Sequence, residues 1–217
     1  MRPFGVFGGM FDPIHYGHLR TAHELHELLG LESVAFLPAG DPPHRAAPLA
    51  NAATRLEMVR AAVADDPRFA VDDRELRRRG PSYTVLTLEE LRSERGGQPL
   101  ALIMGMDAFA GIDRWHRAGE LLALAHVVIA LRPRAALPGE GIPARLLRER
   151  RAADPAQLAE CPAGLVYLCE NTQLDVSSSA VRAVIAAGRD PRYLMPEAAR
   201  RIILGTGSYA RPGATEE

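Results

Sequence analysis

The fold is decided by residues 3–18, PFGVFGGMFDPIHYGH. The apolar stretch 3–7 predicts a short buried strand, and the spacing of apolar residues beyond it predicts a helix over residues 16–29. Gly8 and Gly9 stand between the two elements, where a backbone without side chains can approach a bulky anion. The start of the helix adds N–H groups and the positive end of the helix dipole at the same place. This strand, turn and helix therefore predict a phosphate site.

The same alternation continues along the chain. Further strands are predicted at residues 33–37, 69–71, 100–104, 126–131 and 164–169, and further helices at 52–64, 85–95, 118–124, 178–187 and 196–204. Strands that alternate with helices form parallel sheets with right-handed crossovers. We therefore predict an α/β fold with a doubly wound parallel sheet. In open sheets of this kind, ligands bind beyond the carboxyl ends of the strands.

One domain is expected over residues 1–210, because no linker or repeat divides the chain. The stretch 133–162 is rich in proline and glycine, and we interpret it as a surface excursion that contains one short helix. Residues 211–217 are expected to form a disordered tail.

The composition excludes several classes of function. The 217 residues carry a net charge of −1, so no overall field attracts nucleic acid or an anionic membrane. All 26 basic residues are arginines, which excludes mechanisms that need a lysine amine, such as a Walker phosphate loop or a lysyl nucleotidyl intermediate. Two cysteines without CxxC spacing and the lack of a long apolar segment predict a cytoplasmic protein that does not span a membrane.

Two histidines carry the chemistry of the first motif. His15 and His18 are three residues apart at the predicted helix start, so both rings face one side of the first turn. Two imidazoles can donate hydrogen bonds to phosphate oxygens where charge builds up during phosphoryl transfer. Gly17 places no side chain between these rings and a ligand.

The segment GGMFDPIHYGH resembles the GGTFDPxHxGH signature of the nucleotidylyltransferase superfamily. This resemblance implies a Rossmann-like nucleotidylyltransferase fold and the transfer of a nucleotidyl group from a nucleoside triphosphate. It assigns His15 and His18 as catalytic residues that contact the triphosphate. The ATP-binding residues that it implies in this segment are Gly8, Gly9, Met10, Phe11, His15 and His18. Met10 stands where the signature more often has threonine, so a hydroxyl contact is not expected there.

Further motifs indicate which family of this superfamily the chain resembles. The stretch PPHR, with His44 and Arg45, leaves the second predicted strand, and the SYT stretch of Ser82, Tyr83 and Thr84 precedes a predicted helix. An arginine fork can hold phosphate through two hydrogen bonds, and N–H groups at a helix start can receive a carboxylate. Either Ser82 or Thr84 could cap that helix.

Together with Gly105, Asp107 and Trp115, these motifs are similar to those of the bacterial nicotinate-nucleotide adenylyltransferases. The resemblance implies that the backbone at Tyr83 and Thr84 reads the nicotinate carboxylate and that Trp115 stacks on the pyridine ring. The residues that it assigns to nicotinate mononucleotide are His44, Arg45, Ser82, Tyr83, Thr84 and Trp115. Gly105 and Asp107 are assigned to ATP, with Asp107 suited to accept a hydrogen bond from a ribose hydroxyl.

The last motif, VSSSAVR, opens a late predicted helix and resembles the ISSTxxR pattern of the same family. Either Ser178 or Ser179 could cap the helix, which leaves N–H groups for a triphosphate. Arg182 lies one turn further on and is expected to act as a catalytic residue that neutralises phosphate charge. The ATP-binding residues implied in this motif are Ser177, Ser178, Ser179 and Arg182.

The implied reaction is transfer of AMP from ATP to nicotinate mononucleotide, with release of pyrophosphate and formation of nicotinate adenine dinucleotide. Mg²⁺ is expected as a cofactor that ATP phosphates carry, and no metal site made only of side chains is expected. Two alternatives stay open: an adenylyltransferase for nicotinamide mononucleotide or phosphopantetheine, and a non-catalytic nucleotide sensor. The expected partners are therefore ATP and nicotinate mononucleotide, and the chain is expected to be a monomer or a homodimer.

Overall fold

The computed structural model describes residues 1–41, 47–131 and 136–210. In these ranges, six parallel strands form one sheet in the order β3-β2-β1-β4-β5-β6. The strands are β1 (Phe4–Gly9), β2 (Val34–Pro38), β3 (Phe69–Val71), β4 (Leu100–Gly105), β5 (His126–Leu131) and β6 (Val166–Glu170). The predicted doubly wound parallel sheet is therefore confirmed.

Helices connect these strands. They are α1 (Tyr16–Leu28), α2 (Ala52–Val63), α3 (Arg74–Arg77), α4 (Thr84–Arg95), α5 (Met106–Ala110), α6 (Leu121–Leu124), α7 (Gly141–Glu149), α8 (Ser178–Ala186) and α9 (Glu197–Thr206). The longer of these helices lie where the apolar spacing predicts them, within two residues at each end. The apolar face of each one is buried against the sheet or against a neighbouring helix.

Two hydrophobic clusters cover the two faces of the sheet. One contains Phe36 together with Leu25 of α1 and Met58 of α2, and it extends to α8 and α9. The other contains Leu102 together with Leu88 of α4, and it extends to α5 and α6. Because both faces are covered, the central strands are apolar on both sides, as is usual for a parallel sheet.

The sheet reverses its winding direction between β1 and β4. These strands are neighbours in the sheet, yet β2 and β3 lie on one side of them and β5 and β6 on the other. The loops after β1 and β4 therefore diverge and leave a crevice at the carboxyl ends of the strands. The glycine and histidine motif leaves β1 at this crevice, and Gly105 ends β4 beside it.

Two predictions about connections are wrong in part, and two short helices were not predicted. The predicted helix at 118–124 is a 3-10 turn, Ala118–Glu120, followed by the four residues of α6. The excursion at 133–162 contains α7 and also a 3-10 turn, Pro155–Ala159, which Asp154 caps by accepting from Ala156 N–H at 2.8 Å. The sequence gives no signal for α3 and α5, because four or five residues are too few to show helical periodicity.

In the part of the chain that the structure describes, no helix is both long and apolar enough to cross a lipid bilayer. The cytoplasmic location and the single domain over residues 1–210 stay predictions. Residues 211–217, for which a disordered tail is expected, lie outside the described residues.

Candidate active site

The two motif histidines lie side by side at the start of α1. Their rings stack with centroids 3.8 Å apart and planes inclined by 27°, and both line the crevice beyond β1. His15 is buried and precedes the first helical residue, whereas His18 is half-buried and lies one turn on. The structure therefore confirms the prediction that the two imidazole rings lie on one side of the turn.

Burial sets the charge of both rings. It lowers the pKa of His15 to about 4. Burial also lowers the pKa of His18 well below its usual value, and repulsion from His15 lowers it further. Both imidazoles are therefore neutral near pH 7.

The tautomer of His18 follows from its hydrogen bond. The backbone N–H of His15 donates to Nδ1 of His18 at 3.3 Å. A neutral imidazole whose Nδ1 accepts a hydrogen bond carries its proton on Nε2. Nε2 of His18 is therefore a donor toward a ligand in the crevice.

The glycines of the motif leave room for different groups. A Cβ added at Gly8 would meet no atom within 4 Å, so this backbone is open to the crevice. At Gly9, a Cβ would lie 3.0 Å from the ring of Phe11, and at Gly17 it would lie 3.0 Å from the ring of His15. Gly17 therefore gives room to His15, in addition to the room for a ligand that the sequence predicts.

Met10 and Phe11 continue the loop after β1. Phe11 is 2% exposed, and its ring packs in the core with its centroid 5.7 Å from that of Phe36. Its φ of 46° places a non-glycine residue in the left-handed region. Phe11 therefore shapes the crevice floor, and a contact with ATP would come mainly from the backbone of this loop.

The late helix α8 begins at the same crevice. Ser177, rather than the predicted Ser178 or Ser179, is its N-cap, because the Ser177 hydroxyl accepts from Ala180 N–H at 3.1 Å. The Ser178 hydroxyl donates to the carbonyl oxygen of Pro13 at 2.9 Å, which fixes α8 against the histidine loop. Because three consecutive serines can each cap a helix, the sequence pattern cannot choose among them.

Arg182 connects α8 to the histidine loop. Its Nη1 donates to the carbonyl oxygen of Asp12 at 2.6 Å, and it lines the crevice together with His15 and His18. An arginine, two imidazoles, an open glycine backbone and the start of α8 thus face one space. This arrangement suits a polyphosphate.

The other side of the crevice is lined by aromatic and hydroxyl groups. Thr84 is the first residue of α4. The N-cap of this helix is Tyr83, not the predicted Ser82 or Thr84. The Ser82 hydroxyl instead accepts from the backbone N–H groups of Gly40 and Asp41 at 3.0 and 3.2 Å. Ser82, Tyr83, Thr84 and Trp115 all line the crevice, as their predicted grouping requires.

The crevice is large enough for two substrates. Its volume is about 1250 Å³, and it runs from the histidines to Trp115. Gly105 and Asp107 line it between these ends, where β4 passes into α5. His44 and Arg45 lie outside the described residues, so their predicted contact with the mononucleotide stays a prediction.

Comparison with known proteins agrees with this geometry. A family model described as cytidylyltransferase-like matches residues 6–184, which include every one of these crevice residues. The chain belongs to the cytidylyltransferase-like family.

Within this family, the chain is similar to nicotinate-nucleotide adenylyltransferases. A protein of Halorhodospira halophila named "Probable nicotinate-nucleotide adenylyltransferase" is 48% identical over 98% of this chain and 97% of its own length. One of the same name from Methylococcus capsulatus is 45% identical over 95% of this chain and 99% of its own length. A solved structure of the Plasmodium falciparum nicotinic acid mononucleotide adenylyltransferase complexed with NaAD superposes with a TM-score of 0.73. It covers 96% of this chain and 98% of its own at 16% identity, which supports the fold.

Several crevice residues of this cytidylyltransferase-like protein escape sequence reasoning. His116 stacks on Tyr83, with ring centroids 4.2 Å apart, and Arg114 lines the crevice beside Gly111. Glu75 of α3 also lines the crevice, and burial raises the pKa of its carboxyl group. The adjacency of His116 and Arg114 to Trp115 in the sequence is a signal that could have found them, whereas Glu75 has none.

Asp12 and Arg55 form the support of the histidine loop. Arg55 is fully buried on α2, and its Nη1 donates to the carbonyl oxygens of Met10 and Ala39, both at 2.8 Å. It thus ties the loop after β1 to the loop after β2. The Asp12 carboxylate is buried too, and it accepts hydrogen bonds from three donors.

Proposed function

We propose that the chain transfers the AMP group of ATP to nicotinate mononucleotide, releasing pyrophosphate and forming nicotinate adenine dinucleotide. The observation that carries the proposal is the convergence of His15, His18 and Arg182 on one crevice whose other side presents Tyr83, Thr84 and Trp115. The names of the relatives at 48% and 45% identity support the same activity.

In this reaction, an oxygen of the mononucleotide phosphate attacks the α-phosphorus of ATP. The new bond forms between that oxygen and phosphorus, and the bond to the bridging oxygen breaks, so that pyrophosphate takes the electron pair. A phosphate monoester is already an anion near neutral pH, so no general base is needed. The work of the protein is to position two polyanions and to stabilise the charge that develops between them.

The neutral imidazoles act as hydrogen-bond donors. His18 directs Nε2–H to the crevice because its Nδ1 is occupied by the backbone N–H of His15. A donor held in place before the reaction stabilises developing charge without reorganising. Arg182 supplies positive charge beside it, and the start of α8 and the Gly8 backbone supply further N–H groups.

At the other end, Trp115 offers an aromatic plane to the pyridine ring of the acceptor. The start of α4 at Thr84 offers backbone N–H groups to its carboxylate. A carboxamide in this place would bring N–H groups against N–H donors, which would leave buried groups unpaired. We therefore expect the carboxylate acceptor to be preferred.

Mg²⁺ is part of the proposal. Within the described ranges, no group of three histidine, cysteine or acidic side chains could hold a metal ion. We expect the ion to be carried by the phosphate oxygens of ATP. Bound in this way, the ion would neutralise phosphate charge.

The test is pyrophosphate release with ATP and Mg²⁺ and one of three acceptors: nicotinate mononucleotide, nicotinamide mononucleotide or phosphopantetheine. We expect kcat/KM with nicotinate mononucleotide to be at least about tenfold higher than with either other acceptor. One satisfied polar contact changes binding by about this factor. His18→Ala should lower kcat by at least about 10²-fold, the usual effect of removing a preorganised donor. Faster turnover of another acceptor would refute the acceptor assignment, and binding of ATP without turnover would indicate a sensor.

A further inference from the structure

A tyrosine near the end of the described chain reaches the support of the phosphate site. Tyr209 follows α9 and is 4% exposed, with its ring in the same hydrophobic cluster as Phe7 and Phe11. Its hydroxyl donates to Oδ1 of Asp12 at 2.6 Å, across 197 positions of sequence. Tyr209 does not line the crevice among the described residues, so an effect on the reaction would have to pass through Asp12.

The three donors to Asp12 come from the residues just before α2 and from Tyr209 after α9. Leu49 N–H donates to Oδ2 at 2.9 Å, Ala50 N–H donates to Oδ1 at 3.0 Å, and the Tyr209 hydroxyl shares Oδ1. The guanidinium of Arg182 lies 3.8 Å from Oδ2, beyond hydrogen-bond distance, and it donates instead to the Asp12 carbonyl oxygen. The carboxylate is therefore satisfied without a direct hydrogen bond from Arg182.

This arrangement controls where the positive charge of Arg182 points. The Tyr209 hydroxyl and Ala50 N–H hold Oδ1 of Asp12, and Leu49 N–H holds Oδ2, so the side chain of Asp12 is fixed in place. The backbone carbonyl oxygen of the same residue accepts from Nη1 of Arg182 at 2.6 Å and sets the direction of the guanidinium. Arg182 lines the crevice, so its remaining N–H groups are left for a ligand there.

We propose that Tyr209 is a positioning residue for the triphosphate: by holding the Asp12 carboxylate, its hydroxyl keeps the Asp12 carbonyl oxygen in place and thereby keeps Arg182 directed into the crevice. This inference rests on the role of Arg182 in the proposed function. Tyr209 can serve throughout the physiological range, since burial and then the hydrogen bond to Asp12 raise the pKa of its phenol above the usual value. Tyr209, which follows α9, thus supports the active site without lining it.

The experiment is a double-mutant cycle between Tyr209→Phe and Arg182→Ala in the full chain. Tyr209→Phe removes one hydroxyl and keeps the ring in the core. We expect it to lower kcat/KM for ATP about tenfold, the effect of losing one hydrogen bond to a charged group, and to change the KM for the acceptor less than about twofold. In the Arg182→Ala chain, Tyr209→Phe should change kcat/KM less than about twofold, because the residue through which it acts is gone.

Tyr193→Phe is the matched control, because Tyr193 is 85% exposed and, among the described residues, is not part of the hydrophobic cluster that contains Tyr209. Circular dichroism and thermal melting show whether each variant is folded at the assay temperature. An equal loss from Tyr209→Phe in both backgrounds would mean a general structural role and would overturn the inference. So would wild-type kinetics for Tyr209→Phe.

A second readout separates this inference from the proposed function. The dissociation constant of a non-hydrolysable ATP analogue, measured by calorimetry, needs no acceptor. A weakening of about five- to tenfold in Tyr209→Phe, absent in the Arg182→Ala background, supports the inference even if nicotinate mononucleotide is not the acceptor. Wild-type turnover with that acceptor tests the proposed function alone.

Discussion

At the scale of single residues, the site depends on two histidines that the protein keeps neutral. His15 is 6% exposed, and its Nδ1 is buried without a hydrogen-bond partner among the described residues. A buried imidazole has no water to stabilise its charge, so protonation is disfavoured. The same burial that makes the pair neutral donors near pH 7 therefore makes the folded chain sensitive to acid.

We predict that His15 makes the stability depend on pH below neutrality. Its pKa is about 4 in the folded chain and about 6.5 when unfolded, so the unfolded chain takes up a proton first as the pH falls. The free energy of unfolding should drop by about 2 kcal/mol between pH 7 and pH 5 through this group alone. Urea unfolding of wild type and His15→Asn at both values measures it.

The variant should lose less stability than wild type over this interval. Between pH 8 and pH 9 both imidazoles are neutral in the folded and the unfolded chain, so the two proteins should show the same pH dependence there, which serves as an internal control. Parallel curves from pH 7 to pH 5 would contradict the assignment of a buried, neutral His15.

Residues within one contiguous motif are predictable from the sequence, and residues that meet across the fold are not. The pairing of His15 and His18 follows from their spacing on one helical turn. The hydrogen bond from Tyr209 to Asp12 spans 197 positions, and no local pattern indicates it. The cap of α8 lies between these cases, because a run of serines predicts a capped helix but the backbone conformation selects Ser177.

At the scale of elements, the acceptor side of the crevice is held by contacts between short segments. Gly40, after β2, lies against α3: a Cβ there would come 2.5 Å from the carbonyl oxygen of Glu75 and 3.0 Å from the hydroxyl of Ser82. The Gly40 N–H also donates to that hydroxyl at 3.0 Å. These contacts join the loop after β2 to the start of α4, which carries Tyr83 and Thr84.

We predict that Gly40→Ala weakens acceptor binding. The added methyl group must displace backbone atoms of α3, which should lower the free energy of unfolding by about 1–3 kcal/mol, as overpacking usually does. Because the start of α4 moves with this loop, the KM for nicotinate mononucleotide should rise several-fold more than the KM for ATP. Steady-state pyrophosphate release with each substrate varied in turn, together with urea unfolding, checks both effects.

Gly97→Ala is the matched control, because a Cβ at Gly97 would meet no atom within 4 Å. It should leave both KM values unchanged. Equal increases of the two KM values in Gly40→Ala would show that the loop does not act on the acceptor side.

Long elements are predictable because their apolar periodicity extends over several turns, as in α1 and α2. The elements that position Glu75 and Asp107 are α3 and α5, which have four and five residues. Their helical form comes from packing against neighbouring segments rather than from a local signal. For this reason, the sequence predicts the sheet and the order of the elements along the chain but not the geometry of the short segments that place Glu75 and Asp107 in the crevice.

At the scale of the whole molecule, the crevice lies at one end of the sheet, and a group of hydrogen bonds that joins three connecting segments lies at the other. The crevice lies at the carboxyl ends of the strands. At the amino ends, Arg92 of α4 donates to the carbonyl oxygens of Leu124 at 2.6 Å, Pro162 at 2.9 Å, and Gly96 and Gln98 at 2.7 Å each. One guanidinium thus joins three connections that precede β4, β5 and β6.

This separation predicts that Arg92→Met lowers stability and spares activity. Methionine keeps the apolar stem but removes a donor from four carbonyl oxygens, of which that of Pro162 keeps its hydrogen bond from Leu100 N–H at 3.1 Å. The free energy of unfolding should therefore fall by about 2 kcal/mol. The kcat/KM for both substrates should stay within about twofold of wild type at a temperature where the variant is folded. Arg201→Met removes a guanidinium that is 77% exposed and pairs with Glu197 at 2.9 Å, so it should cost less than about 0.5 kcal/mol. Urea unfolding and pyrophosphate release measure the two quantities, and a large loss of kcat/KM in folded Arg92→Met would show that the amino ends of the strands are coupled to the crevice.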